Sequence, residues 1–325
     1  LMESIDFLQR EIERELKSLR FGHEPANLYE PMEYIVELGG KRMRPLLVLI
    51  GASLFETNYQ KAMKAAIGIE LFHNFTLLHD DIMDKATLRR NRPTVHEKWS
   101  TDIAILSGDA LFVKASEYIM QVDDAVLRSV MQLFYKTAMQ VCEGQQHDMD
   151  FGRLREITPE DYIGMITLKT AVLPACCLAT GAIIANASEE DKLRLYEFGK
   201  NIGIAFQIQD DLLDAFGDDA KFGKRPGGDI IEGKKTFLFS EACRLLNGKE
   251  HLDFLALYNS HNLSNYEKIT AVMQVFNNLE LHQKTMQTIQ AYYQKGLNQL
   301  TGLNVQAKNV LELKLFCEKL LIREH

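Results

Sequence analysis

Residues 73–84 read His-Asn-Phe-Thr-Leu-Leu-His-Asp-Asp-Ile-Met-Asp, and residues 206–214 read Phe-Gln-Ile-Gln-Asp-Asp-Leu-Leu-Asp. Each stretch contains Asp-Asp-x-x-Asp: Asp80, Asp81 and Asp84 in the first, Asp210, Asp211 and Asp214 in the second. Their surroundings are apolar, where carboxylates are costly unless they are paired or coordinate metal. On a helix, positions i and i+4 share a face, so Asp80 and Asp84 point one way, as do Asp210 and Asp214. Two such clusters facing one cavity would hold several hard cations, and those cations would hold a diphosphate. Two other pairs, Asp123-Asp124 and Asp218-Asp219, break the pattern with Leu127 and Phe222.

Outward from these stretches the periodicity is helical. Ala62 to Asp84 is an apolar-rich run with no Pro and one Gly, Gly68. Ile5, Leu8, Ile12 and Leu16 recur at helical spacing near the start. Segments 107–122, 124–150, 160–186, 190–216, 235–247 and 266–300 read the same way. Pro45 to Ser53 could pass as a buried strand, but no partner segment alternates in period two. Turn signals fall at Gly39-Gly40, Asn91 to Pro93, Ser107-Gly108 and Thr158-Pro159, and along Gly217 to Gly233. Thr158, followed by Pro159 and then Asp161, marks a helix start. No low-complexity linker or short repeat divides the chain. The expectation is an all-α fold, a single domain over residues 1–325, with helices around a polar cavity.

Of 325 residues, 46% are hydrophobic and 25% charged, an ordinary globular composition. A formal net charge of −8, with no basic run, argues against nucleic acid as a partner. The five cysteines, at 142, 176, 177, 243 and 317, form no Cys-x-x-Cys and give zinc no support. Their odd number, and a charged amphipathic start in place of a signal peptide, lead us to expect a reducing, cytoplasmic setting. The uncharged stretch Ala171 to Ala187 includes Pro174 and Gly181. It falls short of the roughly 20 residues a bilayer requires, so no membrane span is expected.

Further motifs stand around the aspartates. They are Gly39-Gly40-Lys41-Arg42-Met43-Arg44-Pro45, Leu88-Arg89-Arg90-Asn91-Arg92-Pro93-Thr94-Val95-His96, Gly144-Gln145-Gln146-His147-Asp148 and Lys169-Thr170. In this order, from about Gly39 to Lys235, the chain resembles the trans-isoprenyl diphosphate synthases, the polyprenyl synthetase family. The resemblance implies an isoprenoid synthase-type helical bundle around a central active-site cavity, and a homodimer. It implies that Lys41, Arg44, His73 and Arg90 grip isopentenyl diphosphate. His73 lies two helical turns before Asp80 on the same face. Arg89, Lys169, Thr170 and Gln207 fall to the allylic diphosphate, with Lys224 and Lys234 closing over the phosphates. Arg92 is a third contact or a surface charge. Asp148, oriented by Gln145, stands near the metals or serves as a structural hydrogen-bonding group. Lys224 to Asp229 is one residue longer than the family pattern, so the alignment of Lys224 departs from it.

The implied reaction is head-to-tail prenyl transfer. Asp80, Asp84 and Asp210 would hold Mg2+, three ions in all, with the full set of six aspartates and Lys169 counted as catalytic. Isopentenyl diphosphate would be condensed with dimethylallyl, geranyl or farnesyl diphosphate. Phe75, five residues before Asp80, would floor the product pocket, followed by the small Thr76; Phe112 is a further candidate. One aromatic followed by a small residue resembles a geranylgeranyl diphosphate maker, with farnesyl diphosphate as the alternative product. Two alternatives of other classes are a class I terpene cyclase and a non-catalytic partner subunit. A cyclase would replace the second aspartate motif, and a partner subunit should have lost aspartates or basic contacts. Neither is the case here.

Overall fold

The computed structural model describes residues 4–55, 58–217, 227–260 and 262–321, with side chains as far as 318. The first helices are α1 (Ile5–Ser18), α2 (Ala26–Glu37), α3 (Met43–Ser53) and α4 (Gln60–Met83). A two-strand hairpin, β1 (Leu88–Arg89) and β2 (Arg92–Pro93), pairs Arg89 with Arg92. There follow α5 (Val95–Lys98), α6 (Thr101–Ile119), α7 (Asp124–Phe151), α8 (Pro159–Ile166), a π-helical turn (Thr167–Ala171), α9 (Val172–Ile184) and α10 (Glu189–Phe216). The last are α11 (Gly228–Glu232), α12 (Phe237–Leu245), α13 (Gly248–Tyr258), α14 (Asn265–Asn278), α15 (Leu281–Leu300) and α16 (Ala307–Leu321). The fold is all-α, as the periodicity predicts.

Local chemistry sets several boundaries. Thr158 accepts from the Asp161 amide while Asp161 bonds back, a complete capping box with Pro159 in the first turn. Ser4, Ser100 and Thr236 cap α1, α6 and α12 through their side-chain oxygens. In α1, Leu8, Ile12 and Leu16 are buried.

Four expectations shift. Pro45 to Ser53 lies within helix α3 rather than a strand, and it is buried on every side, so its apolar run carries no period. Ser107 and Gly108 lie inside α6 instead of in a turn. The Ser107 hydroxyl donates to the Leu28 carbonyl at 3.1 Å, and a Cβ on Gly108 would meet the His79 ring at 2.3 Å. Their small size serves close packing. The run 266–300 divides at Glu280, which adopts φ 55°. The apolar run Pro159–Ile184 is longer than Ala171 to Ala187 and reaches membrane-spanning length and composition, with mean hydropathy 1.6. Of its most apolar window 61% is buried within the protein, as in a core helix.

The chain forms two compact units: Leu1–Tyr135 with Cys176–Leu195 and Asn304–Asn309, and Lys136–Ala175 with Tyr196–Leu303 and Val310–His325. In the first unit α4 packs between α3 and α6. The Gly51 and Gly181 positions let α3 and α9 touch backbone to backbone. The second unit is built on Phe239, Phe254, Tyr258 and Phe276, whose neighbouring ring centres lie 4.5–6.3 Å apart, together with Ile208 and Leu212 of α10.

A Cβ on Gly181 would lie 2.2 Å from the Val48 carbonyl oxygen and 2.4 Å from the Ala52 nitrogen, both backbone atoms. Gly181→Ala is therefore expected to cost about 1–3 kcal/mol through overpacking. Thermal unfolding should then drop by several degrees; an unchanged midpoint would mean that the helices tolerate separation.

Candidate active site

In the first unit, α4 delivers the first aspartate motif near its C-terminus. Asp81 is 2% exposed and is gripped by Arg89 in a bidentate fork, with Nε to Oδ2 at 2.8 Å and Nη2 to Oδ1 at 2.8 Å. The same Nη2 lies 3.9 Å from Asp80 Oδ2. Arg89 is held there by the hairpin, whose turn places Arg90 and Asn91 at positive φ. Tyr34 donates its hydroxyl to the Pro93 carbonyl at 2.8 Å, and the Arg92 guanidinium lies 4.9 Å from the Tyr34 ring centre. Arg92 thus pins the hairpin by a cation–π contact.

The Gly39–Arg44 turn stands nearby. Arg42 adopts φ 49° and is fixed by Glu70 at 2.7 Å, the Val36 carbonyl at 2.6 Å and Glu13 at 3.1 Å. That anchor sets Lys41, which is exposed, and Arg44 on either side of it. Arg44 Nη1 lies 3.1 Å from His73 Nε2. Arginine has only donors, so Nε2 must accept, which assigns His73 as neutral with its proton on Nδ1. Burial first, and then the positive charges of Arg44 and Arg90, hold the His73 pKa well below its ordinary value. A Cβ on Gly40 would meet Arg90 Nη2 at 2.6 Å, so the Arg90 guanidinium lies on this glycine. Lys41, Arg44, His73 and Arg90 thus belong to one neighbourhood.

Phe75 is half-buried in an aromatic cluster, 5.7 Å from Phe72, 5.4 Å from Phe112 and 4.7 Å from His79 by ring centres. Phe112 also stacks on Phe134 at 6.1 Å. Thr76 turns its hydroxyl back to the His73 carbonyl at 2.8 Å.

In the second unit, Lys169 and Thr170 sit on the π turn. Such a turn inserts an extra residue into the helix and rotates the side chains beyond it. Glycines flank it: a Cβ on Gly144 would lie 2.2 Å from the Lys169 nitrogen, and one on Gly203 would lie 2.7 Å from Ala171 Cα. Lys169 Nζ pairs with Asp148 at 2.5 Å. The Thr170 hydroxyl donates to Gln207 Oε1 at 3.2 Å, and Gln207 Nε2 donates to Asp211 Oδ1 at 3.2 Å. Asp211 is buried, and its Oδ2 accepts from the Tyr162 hydroxyl and the Phe237 amide. Burial pushes its pKa up to about 7 against the pull of those donors. Asp214 Oδ2 accepts from the Asp229 amide at 2.9 Å. Lys234 is half-exposed, 3.0 Å from Glu232 and 3.7 Å from Asp229. Lys224 lies outside the described residues.

Tyr162, Glu70 and Gly203 shape their surroundings without a sequence signal of their own, whereas Gly144 opens a quoted motif; Tyr162 lies 49 positions from its partner Asp211. Arg42 stood inside the basic motif, but its buried anchoring shows only in the fold.

Among the described residues no three His, Cys, Asp or Glu side chains form a ready-made metal cage. Mg2+ keeps water and binds through one or two carboxylates plus substrate phosphates. Asp80 and the exposed Asp84, one turn apart, fit such a donor set.

A polyprenyl synthetase family model matches residues 25–279. The chain belongs to the polyprenyl synthetase family. It is 41% identical over 220 residues to a geranylgeranyl diphosphate synthase of Methanosarcina mazei, covering 67% of this chain and 68% of that one. It is 38% identical over 259 residues to a short chain isoprenyl diphosphate synthase of Methanocaldococcus jannaschii, covering 79% and 78%. A crystal structure of a geranylgeranyl pyrophosphate synthase superposes with a TM-score of 0.94 at 41% identity over 100% of both chains.

The neutral His73 of this polyprenyl synthetase has a pH consequence. Below its ordinary value near 6.5, the unfolded chain takes up a proton that the folded one refuses. Stability from this group is present above that value and lost as pH falls below it. His73→Gln should therefore lose less in melting temperature between pH 7 and pH 5 than the parent. An equal or steeper loss would show that His73 is protonated in the fold.

Proposed function

We propose that this enzyme catalyses Mg2+-dependent head-to-tail condensation of isopentenyl diphosphate with dimethylallyl, geranyl or farnesyl diphosphate, giving geranylgeranyl diphosphate as main product. The observation that carries the reading is the Gly39–Arg44 turn. Arg44 bonded to His73, and Arg90 laid on Gly40, concentrate fixed positive charge beside the helix that bears Asp80 and Asp84.

In this reading Lys41, Arg44, His73 and Arg90 hold the diphosphate of isopentenyl diphosphate. Neutral His73 offers Nδ1–H as a donor, while the guanidiniums offer planar forks. Arg89, Lys169, Lys224 and Lys234 meet the allylic diphosphate, with Thr170 and Gln207 orienting them. Asp80, Asp84 and Asp210 are the ligands for three Mg2+ ions. When bound, Mg2+ supplies Lewis-acid polarisation of the diphosphate leaving group. The lysines and arginines stabilise negative charge as the carbon–oxygen bond breaks. Holding both substrates in place removes much of the entropic barrier, and apolar walls keep water from the carbocation. The final proton leaves with the departing diphosphate, since no side chain is required as its base.

We further propose one functional domain over residues 1–325; its support is that the family match, residues 25–279, includes residues from both compact units. We also propose a cytoplasmic homodimer. Its support is exposed Leu106 and Val113 of α6 with Met120 just past its end, spaced seven residues apart, and the five free cysteines.

Mass spectrometry of products from isopentenyl diphosphate and each primer tests the reaction. Geranylgeranyl diphosphate with Mg2+, and none without it, is expected. A stop at farnesyl diphosphate would correct the pocket depth alone; no condensation with any primer would favour a partner subunit, and released hydrocarbon a cyclase. Arg44→Ala should raise KM for isopentenyl diphosphate roughly tenfold or more, with little change for the allylic primer. Phe75→Ala should lengthen the product, and an unchanged product spectrum would remove Phe75 from the floor.

A further inference from the structure

The segment 227–237 carries Lys234, and the second aspartate motif holds it at both ends. At its start, the Asp214 carbonyl accepts from the Gly227 amide at 2.7 Å and the Asp214 carboxylate accepts from the Asp229 amide at 2.9 Å. The chain lies so close to this carboxylate that a Cβ on Gly228 would sit 3.1 Å from Asp214 Oδ1. At its end, Asp211 accepts from the amide of Phe237, the first residue of α12, at 3.0 Å. Between them the Tyr258 hydroxyl donates to the Lys234 carbonyl at 2.6 Å. Lys235 is buried, with Nζ 2.9 Å from Asn259 Oδ1 and 4.4 Å from the Phe239 ring centre. The Lys234 amide donates back to the Asp229 carbonyl at 2.9 Å.

We infer that Asp211 and Asp214 are positioning residues: they staple segment 227–237 to α10 and thereby set where Lys234 stands. Both oxygens of Asp211 are occupied by donors of the protein itself, Tyr162, Phe237 and Gln207. An oxygen of Asp214 is committed to a backbone amide. The two carboxylates thus act through Lys234, and metal binding in this motif falls to Asp210. The role given to Lys234 rests on the proposed prenyl transfer; the staple itself does not.

Asparagine separates the two roles of Asp214. Its Oδ1 still accepts from an amide, but it is a poor ligand for Mg2+. Hydrogen–deuterium exchange is measured on the full-length, Mg2+-free protein. In Asp214→Ala, peptides covering 227–237 should exchange about tenfold faster or more, whereas Asp214→Asn stays within about threefold of the parent. In steady-state kinetics, kcat/KM for the allylic substrate should fall about tenfold or more in Asp214→Ala and about threefold in Asp214→Asn. The double variant Asp214→Ala/Lys234→Ala should be no slower than Lys234→Ala alone. Equal exchange in Asp214→Ala and the parent would overturn the staple. Equal kinetic losses in both Asp214 variants, with a raised Mg2+ requirement, would make Asp214 a metal ligand instead. Should the parent catalyse no prenyl transfer, the exchange arm still decides the staple while the proposed reaction falls.

Discussion

A carboxylate taken out of water must be met by donors, and much of this structure is the consequence. Asp81, Glu70 and Asp211 are all buried. Leaving any of them unmet would cost several kcal/mol, so each recruits a segment remote in sequence. Asp81 draws in Arg89 and with it the hairpin; Glu70 draws in Arg42 and the Gly39–Arg44 turn. Asp211 draws in Tyr162 of α8 and the first amide of α12. The groups proposed to touch substrate stand next to these anchors, at Arg90, Lys41, Arg44 and Lys234. The buried charges therefore fix the positions from which the exposed charges work.

Close helix packing is the second constraint. Gly144 and Gly203 bring α7 and α10 against the π turn to within distances that no Cβ would permit. An inserted residue turns the later side chains by roughly 100° relative to an unbroken helix. Lys169 reaches Asp148, and Thr170 reaches Gln207, on this redirected face. The interior of a helix thereby presents polar groups, which an apolar run such as Pro159–Ile184 does not suggest.

Charge is distributed to match. The whole chain is acidic at −8, yet Lys41, Arg42, Arg44, Arg89, Arg90 and Arg92 fall within the first unit. Burial first, and then the neighbouring arginines, lower the pKa of Arg90 and hold that of His73 well below its ordinary value. A diphosphate would relieve that repulsion, whereas a cation would add to it. Below His73 on α4, Phe75, Phe72, Phe112 and Phe134 form a continuous aromatic wall. Helix α4 thus carries the first aspartate motif near its end, a neutral histidine, and two of the four rings of this aromatic cluster.

Much of this was legible in the chain itself. The helical period, the cap at Thr158, the paired aspartate motifs and the basic turns depend on neighbours within a few residues. Local steric and hydrogen-bonding preferences act at that range. Pro45 to Ser53 and Ser107-Gly108 misled because an all-apolar helix has no period, and because small residues serve tight packing as well as turns. The anchoring tasks of Asp81 and Asp211 were not legible. Asp80 and Asp81 are identical in type and adjacent in sequence, yet Asp81 is sealed against Arg89 while Asp80 keeps partial contact with solvent. Tyr162 and Asp211 meet across 49 residues. The sequence determined the kind of chemistry, because residue types and spacing limit which ligands can be held. Only the tertiary structure decided which carboxylate is spent on anchoring, because burial and distant donors are properties of packing rather than of neighbours along the chain.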